Sequence, residues 1–595
     1  MKAVYRLFFI CLFIFSSSAV YSQISSDPNH EFYKSVQKWE INNYVDNLPP
    51  VRPYPVIVIK ALLQQAIENG DENTVQTAQE YWKEVTGKPW AIDVIGDVNA
   101  KYAEAFNKGA AGTVAATGDV LFLNDLVSIG YKVGFDGYTE LALDYLKNFQ
   151  SAYAPLPRDT LHDPSEISLF KVYFDVNDSV AVGKENYYLQ MGVTRLGFGP
   201  FIGEGLALNE AAYHCSNLGF TYRNNRFNYS QVYAAIGASK SYDGSGLVPD
   251  KYLAFHQFSY NILKNLSLTY YENIVYGNRF DFSYIIPAPY MTLQSIGGFD
   301  DNLQMGIQLI YKPVKGLMIG GDIFVDDISV NDVMKFDFDT KIRVAGSVGA
   351  VYYPPVPVLE KIKLIYTVVT PYTYSHWQIE KGYPGITQNT SNFQNYTNSC
   401  IQMGSQLDPN SDSVKFSFEL NPVRNMDLNL NFSFTRHGNI SETLPANEAV
   451  YYLMCDENIY ATDGTVYQHT VVDMHNEKKE DYLFSAWNDL NFLNQKHIMS
   501  VFQTGIGIAY KLPEYKWGKL SFKINYIGEY IHNKGVDSHM LPGISLKYDK
   551  ASDKYIYNGT NYSAEEIVQK FKNQWVSNLK DVWNNYLDIG FEYKF

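Results

Sequence analysis

The sequence predicts a mainly β chain, a transmembrane antiparallel β-barrel of about 18 strands, two either way, with a small N-terminal helical domain. Three observations carry this. The chain ends on a strand whose Leu587, Ile589, Phe591, Tyr593 and Phe595 alternate with Asp588, Gly590, Glu592 and Lys594. A last strand that closes a barrel between lipid and a polar lumen needs that alternation, whereas the end of a soluble chain usually frays. The 595 residues include 49 tyrosines, and a tyrosine ring sits well in lipid with its hydroxyl among headgroups. From residue 95 onward, segments of period two recur to the end. A secreted, tyrosine-rich sandwich or solenoid is the soluble alternative, because an apolar face opposite a polar one also suits a sheet on a core.

Residues 1–22 read as an export signal. Lys2 and Arg6 precede an apolar run from Leu7 to Phe15, and Ser16, Ser17, Ser18 and Ala19 follow, with Val20 and Ser22 placed for cleavage before Gln23. The run is too short to cross a bilayer; a buried core helix is its other reading. No long apolar segment follows, which excludes a helical membrane bundle.

Residues 23–92 read as a helical domain. Phe32, Val36, Trp39 and Tyr44 sit near helical spacing, and Pro49, Pro50, Pro53 and Pro55 break the chain around Arg52 and Tyr54. A second helix runs from Val56 to Asn69 and stops at Gly70; a third runs from Glu72 to Val85 before Gly87 and Pro89. The unit is too small for much core of its own and should dock elsewhere, as a barrel plug.

Residues 93–595 carry the strands. Phe416, Phe418 and Leu420 turn into Leu428, Leu430, Phe432 and Phe434, while Lys415, Ser417, Glu419, Asn429, Asn431 and Ser433 face the other way. Leu303 to Tyr311 and Leu520 to Tyr526 alternate likewise. Short breaks fall at 223–226, 264–265, 313–316, 354–355, 422–425 and 513–514, and long polar stretches at 239–250, 375–412 and 438–498. Short turns on the periplasmic side and long loops outside are the asymmetry of an outer-membrane barrel. Residues 563–580 break the pattern as an amphipathic helix with a Ser563/Glu566 capping box. That helix lies outside if the last strand runs down to the periplasm, and on the periplasmic side if the strand count is off by one.

Charge and cysteine content narrow the function. A formal net charge of −15 argues against a nucleic-acid partner. Cys215, Cys400 and Cys455 are far apart, so no disulfide framework is implied, though Cys400 and Cys455 both fall in predicted loops and could pair. There is no nucleophile elbow, phosphate loop or His-Glu-x-x-His, so no enzyme and no cofactor is expected. Gly197-Phe198-Gly199 lacks a following helix to hold a phosphate. His214 and Cys215 point to opposite faces of a strand and do not share a metal. Asp300, Asp301 and Asn302, and Asp326 and Asp327, are either solvated rims or calcium ligands, and no metal site is assigned. Arg195, Glu204, Glu210, His256, Glu272 and Arg279 read as strand residues. A charge on the lipid face costs about 2–4 kcal/mol near the midplane, so they should point inward.

The middle of the chain resembles the Wzi-type capsule assembly proteins, outer-membrane β-barrels of diderm bacteria. The matching residues are Arg195, Gly199-Pro200, Gly203, Gly205 to Asn209 and Ala211; Lys251 to His256; Glu272 with Val275-Tyr276-Gly277; Pro287; Asp301-Asn302; and Asp326-Asp327-Ile328. Tyr33, Val36, Trp39 and Arg52-Pro53-Tyr54 resemble that family's helical domain, and the terminal Phe591, Tyr593 and Phe595 resemble an outer-membrane sorting signal. One departure stands before the Gly-Pro, where Leu196-Gly197-Phe198 replaces a tryptophan-rich segment. The resemblance implies an 18-stranded barrel in the outer membrane, inserted by the barrel assembly machinery, blocked by its helical unit and holding capsular or other surface polysaccharide. The residues permit this: Tyr372, Tyr374, His376, Trp377 and Tyr383 are followed by Gln388, Asn389, Asn392, Gln394 and Asn395, and aromatic faces beside amides suit sugars. Equally, Tyr372, Tyr374 and Trp377 fit an interfacial girdle. A porin or solute channel, and an adhesin, are the alternative functions.

Overall fold

The computed structural model describes residues 24–87, 90–102, 106–138, 171–237, 250–277, 279–298, 301–337, 340–376, 394–398, 401–453, 490–513 and 518–594. Eighteen strands form one closed sheet. They are β1 (Ala91–Tyr102), β2 (Phe106–Phe122), β3 (Val127–Tyr138), β4 (Lys171–Lys184), β5 (Tyr187–Thr194) and β6 (Cys215–Arg223). Next come β7 (Phe227–Ala235), β8 (Lys251–Leu263), β9 (Leu266–Gly277), β10 (Asn302–Val314), β11 (Leu317–Ile328) and β12 (Ile342–Tyr352). The last six are β13 (Leu359–Val369), β14 (Ser411–Leu420), β15 (Met426–Gly438), β16 (Ile498–Lys511), β17 (Lys519–Lys534) and β18 (Lys580–Lys594). Each pairs antiparallel with its neighbour in sequence, and β18 closes on β1 with Phe591 opposite Gly96 and Leu587 opposite Ala100. The fold class and strand number match the expectation. Phe595 and the 1–22 signal lie outside the described residues.

The pleat separates the two faces. Ile589, Phe591, Ile323, Ile307 and Phe502 are exposed on the outside. An apolar surface continuous round the barrel has no place in water and suits a membrane. Inward positions on these strands carry paired polar side chains: Lys523 reaches Asp97 at 2.7 Å, and Glu529 accepts from Gln503 at 2.7 Å and Asn584 at 2.6 Å. No described helix is long and apolar enough to cross a membrane; the strands cross instead. The hairpin read from the alternation forms, with Phe416 opposite Phe432 and Leu420 opposite Leu428.

At the short-turn rim sit three helices, α1 (Glu31–Ile41), α2 (Val56–Asn69) and α3 (Glu72–Thr86). The His30 ring caps α1 by accepting from Phe32 N–H, and Asp71 caps α3 by accepting from Thr74 N–H. Their own core of Phe32, Tyr33, Trp39, Ile59 and Leu63 also takes in Tyr188 from the barrel wall. Lys312 pairs with Glu40 at 3.1 Å, Lys38 with Glu360 at 2.5 Å and Lys60 with Asp125 at 2.8 Å, all at short turns. Asp119, inside β2, accepts from Ile24 N–H at 2.8 Å. The helical unit is therefore pinned into one end of the barrel, and the strands begin at Ala91, two residues before the expected boundary.

The other rim carries the long connections. Residues 236–250, 370–410 and 439–497 match the three long stretches expected from the sequence within a few residues, and 195–214, 278–301, 329–341 and 535–579 are further ones. Since β18 runs down to the short-turn rim, helix α5 (Ala564–Ser577) lies on the long-loop side, with the Ser563/Glu566 capping box formed. One of the short helices between α3 and α5 is α4 (Tyr290–Gly297).

Candidate functional site

The β5–β6 connection, 195–214, folds into the lumen. Its first turn pairs with the helical unit, Arg52 and Gly197 exchanging backbone hydrogen bonds of 2.9 and 3.1 Å, and Phe198 N–H then donates to Leu208 O at 2.9 Å. This doubling back needs bare backbone. A Cβ on Gly205 would lie 2.2 Å from Leu208 O and 2.4 Å from Phe198 O, closer than real contacts allow. Phe198, Leu206 and Leu208 pack on Phe255, Tyr271 and Phe324 of the inner wall.

Charges lock the loop from below and beside. Arg52 donates to Glu210 at 2.8 Å through Nε and lies 2.6 Å from the same oxygen through Nη2, with both side chains buried. Burial works against the Arg52 cation, but the adjacent Glu210 carboxylate outweighs it and holds Arg52 above its ordinary pKa. The second Glu210 oxygen accepts from Gly203 N–H at 3.2 Å. Lys415 donates to both oxygens of Glu204 at 2.9 Å. Burial raises the Glu204 pKa, yet Lys415 and Lys363 lower it further, to a net depression. Arg195 Nη1 collects the carbonyls of Glu210, Ala211 and Ala212 at 3.4, 3.3 and 2.8 Å. Asn209 donates to Gly203 O and Gly205 O at 3.3 Å and accepts from Ala211 N–H at 2.9 Å. Gln37 of α1 donates to Pro200 O at 3.0 Å. Gly199 takes a left-handed φ of +139°.

A lid closes over the loop. Tyr374 donates to Leu206 O at 2.8 Å and accepts from Ser405 N–H at 3.2 Å, while Tyr396 donates to Ala207 O at 2.8 Å. The two rings stack at 5.8 Å, and Phe324 packs on both. Tyr374 N–H donates to Asp326 at 2.7 Å, and Asn302 donates to Gln394 O at 2.8 Å. His376 is half-buried, its N–H donating to Asn395 at 2.9 Å. Helical unit, inner loop and lid thus stack three deep inside the barrel.

Several placements expected from the alternation pattern change. Arg195, Glu204 and Glu210 lie on the inner loop, not in strands, because the glycines of 197–205 fold the chain back where the pattern predicts a strand. Tyr372 and Tyr374 are buried at 2% and 1% exposure, so neither forms a girdle and Tyr374 offers no ring face to a ligand in this arrangement. Trp377, Tyr383 and Asn389 lie outside the described residues, as do Cys400 and Cys455. Asp327 meets Lys341 at 2.6 Å and Arg343 at 3.3 Å, and Asp301 meets Arg279. Asp301 and Asp327 are thus partnered by cations, and no group of three metal-ligating side chains occurs among the described residues.

The largest correction concerns His256, Glu272 and Arg279. His256 shares a face of β8 with exposed Tyr260 and Ile262, and Glu272 a face of β9 with exposed Leu268 and Tyr270. His256 and Glu272 point outward. The β9–β10 connection, which carries Arg279 beyond the end of β9, folds down over them and brings in Pro287 on its exposed side. His256 Nε2 lies 2.9 Å from Glu272, which also accepts from Tyr270 OH at 2.6 Å and from Tyr290 N–H at 2.7 Å. Covered and hydrogen-bonded, the pair escapes the lipid cost that argued for an inward position.

The inner-loop lock pairs Arg52 with Glu210. The sequence marks it only by Glu210 just past the glycine-rich stretch and by an Arg among prolines, with no spacing that links them.

Neither a protein-family model nor a curated protein sequence matches the chain. Solved barrels are similar to it in fold. Wzi, an outer-membrane protein involved in group 1 capsule assembly in Escherichia coli and a carbohydrate-binding β-barrel, has 11% identity and a TM-score of 0.49, over 95% of this chain and 99% of that one. OccK8 (OprE) of Pseudomonas aeruginosa has 8% identity and a TM-score of 0.40, over 85% and 98%. OprD of the same organism has 11% and 0.37, over 86% and 97%.

Proposed function

We propose that this chain is an outer-membrane barrel of a diderm bacterium, without chemistry of its own, that holds capsular or other surface polysaccharide at the cell exterior. The observation that carries the reading is the lumen. A solute channel gains nothing from a buried Arg52–Glu210 pair and an inner loop hydrogen-bonded to both the helical unit and the lid. A scaffold that fixes the outer loops gains rigidity from all three. The sugar part of the proposal rests on residue type: His376, Trp377, Tyr383 and Asn389 stand on the connection that continues the lid, where aromatic faces and amides would meet a glycan. Lipid of the outer membrane and the barrel assembly machinery are the other partners proposed.

Planar-bilayer recording and glycan binding test this together. The full chain should conduct poorly, and removal of residues 24–90 should raise conductance. The purified protein should bind surface polysaccharide from its own cell, and W377A with Y383A should weaken that binding. Robust conductance of the full chain, or no binding to any polysaccharide, would overturn the proposal.

A further inference from the structure

The outward fold of the β9–β10 connection creates a second apolar surface. Residues 282–298 contain no Asp, Glu, Lys or Arg over a full stretch of loop, with Asp281 before them and Asp300 and Asp301 after. The stretch has an inside and an outside. Tyr284 and Tyr290 are fully buried against Ala254, Ile274 and Tyr276 on the outer wall. Tyr290 stacks on His256 at 4.1 Å, and Gln231 of β7 donates to Tyr284 O at 2.8 Å. On the opposite side Phe282 is 74% and Ile296 79% exposed, and Ile286 and Met291 are more than half exposed.

Height decides what meets that outside. Strands tilted about 40° rise about 2.5 Å per residue along the membrane normal. On β18 the outward row runs from Trp583 through the exposed Leu587, Ile589 and Phe591 to Tyr593, which spans about 25 Å by that rise, the height of a barrel's apolar band. On β9 the bare row runs only from Leu266 to Tyr270, about 10 Å by the same rise. The next three outward residues, Glu272, Ile274 and Tyr276, lie under the flap. That wall lacks about 15 Å of its band unless the flap's own exposed side supplies it.

We propose that residues 282–298 form a membrane-seated flap, replacing the barrel wall as the lipid-contacting surface in the outward-side leaflet above β7–β10. The occupant of the patch is acyl chain, because the patch is continuous with the lipid-facing rows of Tyr260, Ile262 and Leu268. The His256–Glu272 pair beneath it is the latch: Glu272 accepts the N–H of Tyr290, the first residue of α4. The inference rests on the membrane-barrel reading but not on any polysaccharide.

The test uses single spin labels in the full chain, with Cys11→Ser, Cys215→Ala, Cys400→Ser and Cys455→Ser, in phosphatidylcholine–phosphatidylglycerol vesicles. Labels go at Ile296 on the flap, Ile262 on the bare wall and Lys554 on the exposed long-loop side. The expected result is an oxygen-to-nickel-chelate accessibility ratio at Ile296 matching Ile262 and several-fold above Lys554. Lipid contact at Ile262 with water at Ile296 overturns the flap alone; water at both overturns the membrane barrel as well. Shielding of Ile296 from both reagents means a protein covers the patch and also overturns the inference. In the unmodified chain, a carbene reagent dissolved in the bilayer should label peptides within 282–297, and their absence among labelled peptides counts equally against it.

Discussion

The 195–214 and 278–301 connections leave the barrel at the same rim, each between antiparallel neighbours, and fold to opposite sides of one wall. The first enters the lumen; the second lies on the outer face. Both cover a buried acid–base pair, Arg52–Glu210 inside and His256–Glu272 outside. The difference follows from glycine placement and charge. The inner loop sets Gly197, Gly199, Gly203 and Gly205 among Phe198, Phe201 and its leucines, around Glu204 and Glu210, so its backbone approaches itself and its carboxylates find cationic partners from the helical unit and β14. The outer flap is bulky, aromatic and uncharged between its ends, so it buries two tyrosines and leaves an apolar back. A charge on an outward strand position is therefore compatible with a barrel when the connection above it supplies both cover and donors.

The contrast can be broken at either pair. Arg52→Ala strands a fully buried Glu210 and should cost about 3–5 kcal/mol. Urea unfolding and bilayer conductance should both register the loss, while amide exchange over 282–297 stays as in the parent. Stability and conductance equal to the parent would mean that packing alone holds the inner loop. His256→Ala leaves Glu272 with its tyrosine hydroxyl and one N–H, a milder loss of about 2–3 kcal/mol. Exchange should speed up across 282–297 and not across 195–214, and a uniform change across both would show that the two connections act as one unit. Tyr374→Phe removes a hydroxyl that links lid to inner loop and should cost about 1–2 kcal/mol, seen as faster exchange at Leu206 to Leu208 with the flap unaltered.

The smallest effect is on the outer cap, away from both connections. Glu442 accepts from His497 N–H at 2.9 Å and His497 Nδ1 at 2.7 Å, and lies 3.3 Å from Lys572 of α5. Burial raises its pKa, but the His497 hydrogen bonds and Lys572 bring it below the ordinary 4.5. A depressed carboxylate contributes stability above its unfolded pKa and loses it as pH falls through the folded one. Protection factors across 564–577, corrected for intrinsic exchange, should therefore be flat above about pH 5 by that linkage and fall only on acidification below the ordinary glutamate pKa. A fall starting near neutral pH would assign the contact to another group.

The chain's periodicity alone determined the barrel, its helical unit and the hairpin from Phe416 to Phe434, while the side of helix 564–577 waited on the strand count. Period two and the placement of breaks are local properties, and lipid outside with polar groups inside leaves one way to read them. The capping box at Ser563 is legible for the same reason. Tertiary structure alone decided which side of the wall each long connection takes. Arg52 and Glu210 are 158 residues apart, and no local pattern joins them. His256 and Glu272 read as lumen charges when strand parity is set against bare lipid, and only the folded flap removes that lipid. The same holds for Tyr374, whose ring reads as a surface aromatic until Leu206, Ser405 and Tyr396 close around it.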